Sequence, residues 1–111
     1  MRKARIEDFH RGWFIGDFEP SILRTKDFEV GLLTHSKGEY WEPHFHKEAI
    51  EYNVLISGEM TIVHEDDSFT HLKPGDVFAF EKGEVSAPHF HEDCKILVVK
   101  VPSVKGDKYV V

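Results

Sequence analysis

Residues 38–58 read GEYWEPHFHKEAIEYNVLISG, and the fold turns on how this stretch is read. His44 and His46 are separated by one residue, Glu51 follows, and Gly38 and Gly58 close the two ends. Successive side chains of a β-strand point to opposite faces, so histidines at i and i+2 point the same way. If that face is the inside of a small barrel, two imidazoles converge in a pocket and Glu51 joins them from the neighbouring strand. Two neutral imidazoles and one carboxylate form a facial ligand set for a metal ion with open positions. Taken alone, HFHKEAIE would equally suit a charged, solvated strand face.

The spacing carries more than the dipeptide. As G-x5-H-x-H-x4-E-x6-G, the segment fills every fixed position of the first cupin motif with Gly38, His44, His46, Glu51 and Gly58. On these residues the chain resembles a small single-domain cupin spanning residues 1–111, with residues 1–20 as an N-terminal arm or edge strand. The resemblance implies an all-β fold, the antiparallel double-stranded β-helix or jelly-roll barrel. It also implies a divalent metal ion (zinc, iron, manganese or nickel) held by His44, His46 and Glu51.

The second cupin motif, G-x5-P-x-G-x2-H-x3-N, is only partly filled. Gly75 and Gly83 are in place, but Glu81 stands at the proline position, Ser86 at the histidine position and Phe90 at the asparagine position. His89 and His91 follow closely. Strict alternation from Ser86 turns both outward, whereas a bulge at Pro88 would reverse the parity and bring His89 inward as a fourth ligand. His89 is therefore a further candidate metal ligand. Three protein ligands leave the open positions that catalysis requires. Tyr40, Trp41, Tyr52 and Asn53 are near enough in sequence to line the same pocket or to pack the barrel wall.

The remainder of the chain is read outward from this segment. Before it, Trp13-Phe14-Ile15 is a concentrated apolar patch that either packs on its own barrel or covers a dimer interface, where aromatic residues are enriched. Ser21–Lys26 and Phe28–His35 read as strands, and Glu39–Phe45 as a strand that Pro43 confines to an edge or bulge. After it come strands at Glu51–Ser57, Met60–His64, Ser68–Leu72 and a buried Val77–Phe80, divided by turns such as Lys73-Pro74-Gly75-Asp76. Cys94–Val101 is apolar on both faces and reads as a central strand, ended by Pro102. No stretch has a long helical period, so many short strands with turn signals between them predict an antiparallel sandwich or barrel.

Composition bounds the function. The chain has 111 residues, is 41% hydrophobic and 31% charged, and carries a net charge of −6 with its histidines neutral. These values describe a globular chain, and the acidic balance argues against a nucleic-acid phosphate backbone as partner. The lone cysteine, Cys94, fits a small buried hydrophobe in a reducing compartment. No signal-peptide core and no membrane-length apolar run is present, so a cytoplasmic location without a membrane partner is expected. His64 and His71 are placed to pair across the hairpin at Glu65-Asp66-Asp67, which reads as a solvated turn. The expected activity is that of a metal-binding cupin, dioxygenase- or isomerase-like, acting on a small-molecule ligand. The alternatives are a metal-free sugar epimerase or ketoisomerase, or a small-ligand-binding module without turnover. A homodimer is expected, since two-fold pairing is the common way to protect a barrel edge.

Overall fold

Two-residue alternation along the strands builds two facing sheets in the computed structural model, which describes residues 1–111. Eleven strands follow in chain order. They are β1 (Trp13–Gly16), β2 (Leu23–Arg24), β3 (Glu29–His35), β4 (His44–Phe45), β5 (Ile50–Ser57) and β6 (Met60–His64). After these come β7 (Phe69–Leu72), β8 (Val77–Phe80), β9 (Ser86–Phe90), β10 (Cys94–Val101) and β11 (Tyr109–Val110). One sheet runs β2-β1-β3-β10-β5-β8 and the other β11-β4-β9-β6-β7, with every pairing antiparallel except β1 with β2. This is the all-β jelly-roll expected from the sequence. No helix is long and apolar enough to cross a membrane.

The expected central strand is central. β10 lies between β3 and β5, and its parity sends Cys94, Ile96 and Val98 inward. From β5, Leu55 meets them, fully buried, and from the opposite sheet come Met60, Ile62, Leu72 and Phe90. Burying such side chains supplies the main favourable term in folding, roughly 1.5–3 kcal/mol for each large one. Cys94 is part of this cluster, and burial raises its thiol above the ordinary value, so it behaves as a packing residue.

Four expectations are corrected. The strand read over Glu39–Phe45 is regular only at His44–Phe45, because Pro43 cannot donate to a ladder; upstream, single bonds from Gly38 and Trp41 nitrogens to β9 replace it. The Val77–Phe80 strand is an edge rather than a buried strand: it pairs only with β5, and Val77 is 75% exposed. The Trp13 strand is not an edge, since β2 flanks it; of the two packings open to Trp13, it takes the one on the chain's own core. Finally, His64 and His71 do not pair. The β6–β7 register sets Thr61 opposite His71, and His64 bonds Thr70 instead.

Candidate functional site

The local sequence places each site residue by strand parity. Along β5, Glu51 and Asn53 turn inward with Leu55, while Tyr52 and Ile56 turn outward. Register puts Glu51 opposite Phe80 on β8 and Lys100 on β10. His44 on β4 faces Ser86 on β9 across the other sheet. These residues line one cavity of about 650 Å³ whose other walls include Trp41, Met60, Ile62, Phe78 and Phe80. Two short 3-10 turns, Ile6–Asp8 and His10–Gly12, add Ile6, Phe9 and Arg11 to its rim.

His46 and Glu51 are in direct contact, with 3.4 Å between Nε2 and Oε1. The His44 ring lies edge-on to His46 at 5.9 Å between centroids. A main-chain carbonyl can only accept, so it fixes which ring nitrogen of each histidine carries a proton. Nδ1–H of His44 donates to the Glu42 carbonyl at 2.9 Å, and Nδ1–H of His46 donates to the Asp107 carbonyl. Nε2 is left as the available donor atom of both rings. On Glu51, Asn53 Nδ2–H donates to Oε2 at 3.1 Å, and Lys100 Nζ stands 4.0 Å from Oε1.

The electrostatics follow from these contacts. Burial pushes the Glu51 carboxyl up, but His46, Lys100 and Asn53 outweigh it and hold the group below the ordinary glutamate value. For His46, burial disfavours the charged ring, yet Glu51 and the Asp107 carbonyl prevail and the value rises. Burial lowers His44, the Glu42 carbonyl opposes this in part, and Lys108 and His46 push it down further. His44 is thus the more readily neutral imidazole, the form that binds metals.

Two neutral-capable imidazoles with Nδ1 tied to carbonyls, beside a hydrogen-bonded carboxylate, match a divalent ion in donor chemistry. The donors are gathered but not closed around one point: no three His, Cys, Asp or Glu side chains stand close enough together here to hold an ion. His89 is not brought to them. The β6–β9 register runs unbroken from Met60–Phe90 to His64–Ser86, so no bulge reverses parity at Pro88. Ser86, Pro88 and Phe90 therefore line the cavity, while the His89 ring stacks on Tyr40, itself 67% exposed. Among the other pocket candidates, Trp41 and Asn53 line the cavity, and Tyr40 and Tyr52 do not.

The chain's similarities agree with this fold. Residues 31–100 match the cupin domain. The chain belongs to the cupin family. Among solved structures, this cupin is similar to an uncharacterized double-stranded β-helix protein from Klebsiella pneumoniae, at 21% identity and TM-score 0.74, covering 99% of this chain and 91% of that one. It is also similar to the DMSP lyase DddQ from Ruegeria pomeroyi, at 18% identity and TM-score 0.74, covering 98% and 59%. A third similarity is to KdgF from Halomonas sp., at 20% identity and TM-score 0.67, covering 73% and 74%. Comparison with curated protein sequences gives no match.

Three features of this cupin's cavity escaped the sequence reading. Lys100 lines the cavity because it shares parity with Cys94, Ile96 and Val98; that parity was visible in CKILVVKV. Lys108 reaches the cavity only because the C-terminal segment folds back, which no local pattern announces; its Nζ stands 3.3 Å above the Trp41 ring. Asp107 makes that return. Its buried carboxylate accepts backbone N–H from Lys47 at 2.9 Å, Glu48 at 3.1 Å and Ala49 at 2.9 Å. Trp41 is steadied in turn by Glu39, which accepts from its Nε1 at 2.8 Å and pairs with His35 at 2.5 Å.

Proposed function

We propose that this cupin holds a divalent metal ion on His44, His46 and Glu51 and acts with it on a small molecule. The observation that carries the reading is the tautomer: main-chain carbonyls hold Nδ1–H of both histidines, which turns Nε2 of each toward the cavity as the candidate ligand atom, that of His46 beside Glu51. A bound ion would supply Lewis-acid polarisation of an oxygen on the small molecule, or a place for dioxygen beside it. The chain's own residues do the rest. Asn53 and Lys100 orient the Glu51 carboxylate. Asp107 orients His46 through its carbonyl, and the wall of Met60, Ile62, Phe78 and Phe80 keeps water from one side of the cavity. Structures of this fold include proteins named as a lyase and as sugar phosphate isomerases, so the barrel suits chemistry on small molecules.

Elemental analysis tests the reading. Protein purified without chelator is expected to hold near-stoichiometric divalent metal, and His44→Ala combined with His46→Ala to hold background only, with an unchanged far-UV spectrum. Equal metal in both would end the proposal.

A second reading rests on the 3.4 Å contact between His46 and Glu51. That pair can pass a proton at Nε2 next to a substrate carbonyl, as a metal-free epimerase or ketoisomerase would. Turnover or sugar-nucleotide binding that survives exhaustive chelation would select it.

The pairing expected from the sequence moves from the N-terminal arm to the outer face of the larger sheet. Tyr52, Ile56 and Val77 stand there 46%, 47% and 75% exposed, beside the open edge of β8. Light scattering after size exclusion is expected to give twice the 12.9 kDa chain mass, and Ile56→Lys with Val77→Lys to give the monomer. A monomer at all concentrations for the unaltered chain rules the pairing out.

A further inference from the structure

The cavity rim carries positive charge that the rest of the molecule does not lead one to expect. Against a net charge of −6, Arg11, Lys100 and Lys108 all line this one cavity. They come from three separate parts of the chain: the N-terminal 3-10 turn, the central strand β10 and the returning C-terminal segment. The acids that line it are Glu7 and Glu51. Glu51 is occupied by His46 and Asn53, with Lys100 at 4.0 Å, and Glu7 by Arg5 at 2.7 Å. Neither Arg11 nor Lys108 has a carboxylate partner within ion-pair distance.

What the cations do touch is aromatic. Lys108 Nζ sits 3.3 Å over Trp41, the Arg11 guanidinium 5.7 Å over the same ring, and Lys100 Nζ 5.1 Å over Trp13. These are the chain's only two tryptophans. A ring face attracts a cation, but far less than a carboxylate does, so such cations remain available to an anion. Arg11 is also one of only two non-glycine residues held at positive φ, at 54°. That backbone conformation is disfavoured for side-chain-bearing residues and is often retained at ligand sites.

The class of anion follows from the surroundings. The helical turns at the rim are three residues each, too short to present a phosphate-binding N-terminus. Half of the lining is hydrophobic, which suits a carbon skeleton more than a polyhydroxylated one. We infer that the cavity takes a small organic acid, its carboxylate drawn to Lys108 and Arg11 at the rim and its carbon skeleton against the apolar wall, beside His44, His46 and Glu51. This rests on the proposed site in its placement, and it adds the class of ligand.

The test uses the full chain as purified, with butyrate, benzoate and phenylacetate as probes beside the matching uncharged amides and inorganic phosphate. Binding is read by calorimetry and by tryptophan emission, which reports a cation leaving the face of Trp41. At least one acid is expected to bind about tenfold more tightly than its amide, as a charge-assisted contact predicts, and more tightly than phosphate. Lys108→Gln and Arg11→Gln should each remove most of that preference while metal content stays unchanged. Lys108→Glu, whose exposed position keeps folding out of the comparison, should abolish it. Acids that bind no better than their amides, or a preference that survives all three substitutions, overturn the inference. Phosphate binding more tightly than every acid overturns it too. A purified chain that holds no metal but keeps the preference leaves the inference standing and removes only the metal proposal.

Discussion

Asp107→Ala is expected to lower the thermal unfolding midpoint by about 15 °C. Its carboxylate is buried and accepts three consecutive main-chain N–H groups, those of Lys47, Glu48 and Ala49. Burial alone would raise this carboxyl, yet those donors hold it below the ordinary aspartate value, which is the mark of a net favourable set of contacts. A charge-assisted bond contributes about 1.5 kcal/mol, water can replace part of this at the exposed Lys47 and Glu48, and the orphaned N–H of buried Ala49 carries a penalty, so the net loss is roughly 4 kcal/mol. For a chain of this size that corresponds to about 4 °C per kcal/mol.

The same substitution loosens the site. Lys47 to Ala49 join β4 to β5, and the Asp107 carbonyl holds Nδ1–H of His46, so one residue fixes both the loop between these strands and the tautomer of His46. Asp107→Asn keeps one acceptor oxygen and should fall about halfway. The measurement is differential scanning calorimetry of the three proteins. A shift below 3 °C for the alanine variant would mean that water replaces the carboxylate and that Asp107 does not hold the loop from Lys47 to Ala49.

Asp107 also marks where sequence reading stops. The barrel was legible because its signals are local: alternation in Glu51–Ser57, the turn at Lys73-Pro74-Gly75-Asp76, and the doubly apolar run from Cys94 to Val101. The placement of His44, His46 and Glu51 around one cavity was legible from parity and motif spacing together. Parity alone also predicted that His89 turns outward, and the intact β6–β9 register agrees. What stayed hidden depends on contacts between distant segments. Asp107 reaches back some sixty positions to Lys47, and nothing in VKGDKYVV distinguishes that aspartate from an exposed turn residue. Lys108 inherits its place from the same return. The exposed face of β8 was missed for a different reason: VFAF is apolar enough to be buried, but an edge position leaves one face uncovered.

The two motif glycines look equivalent in sequence and should respond very differently to alanine. Both have left-handed backbones, with φ of 88° at Gly38 and 85° at Gly58. A side chain in that region costs about 1 kcal/mol in either place. A methyl group on Gly38 would meet nothing within 4 Å. On Gly58 it would lie 2.3 Å from the Asp93 carbonyl oxygen and 2.7 Å from Cys94 Sγ. The oxygen belongs to the main chain at the start of β10 and cannot rotate away. Relief requires moving the strand that lies between β3 and β5 and carries Ile96 and Val98 into the core. Close packing makes such a displacement costly, because core neighbours have no empty space to yield. Gly58→Ala is therefore expected to lose about 4 kcal/mol or more, at the exceptional end of single substitutions, and Gly38→Ala about 1 kcal/mol. Urea unfolding followed by tryptophan emission separates them. Midpoints that shift equally would show that the β5–β6 turn relaxes without disturbing β10, and that Gly58 is there for its backbone angle alone.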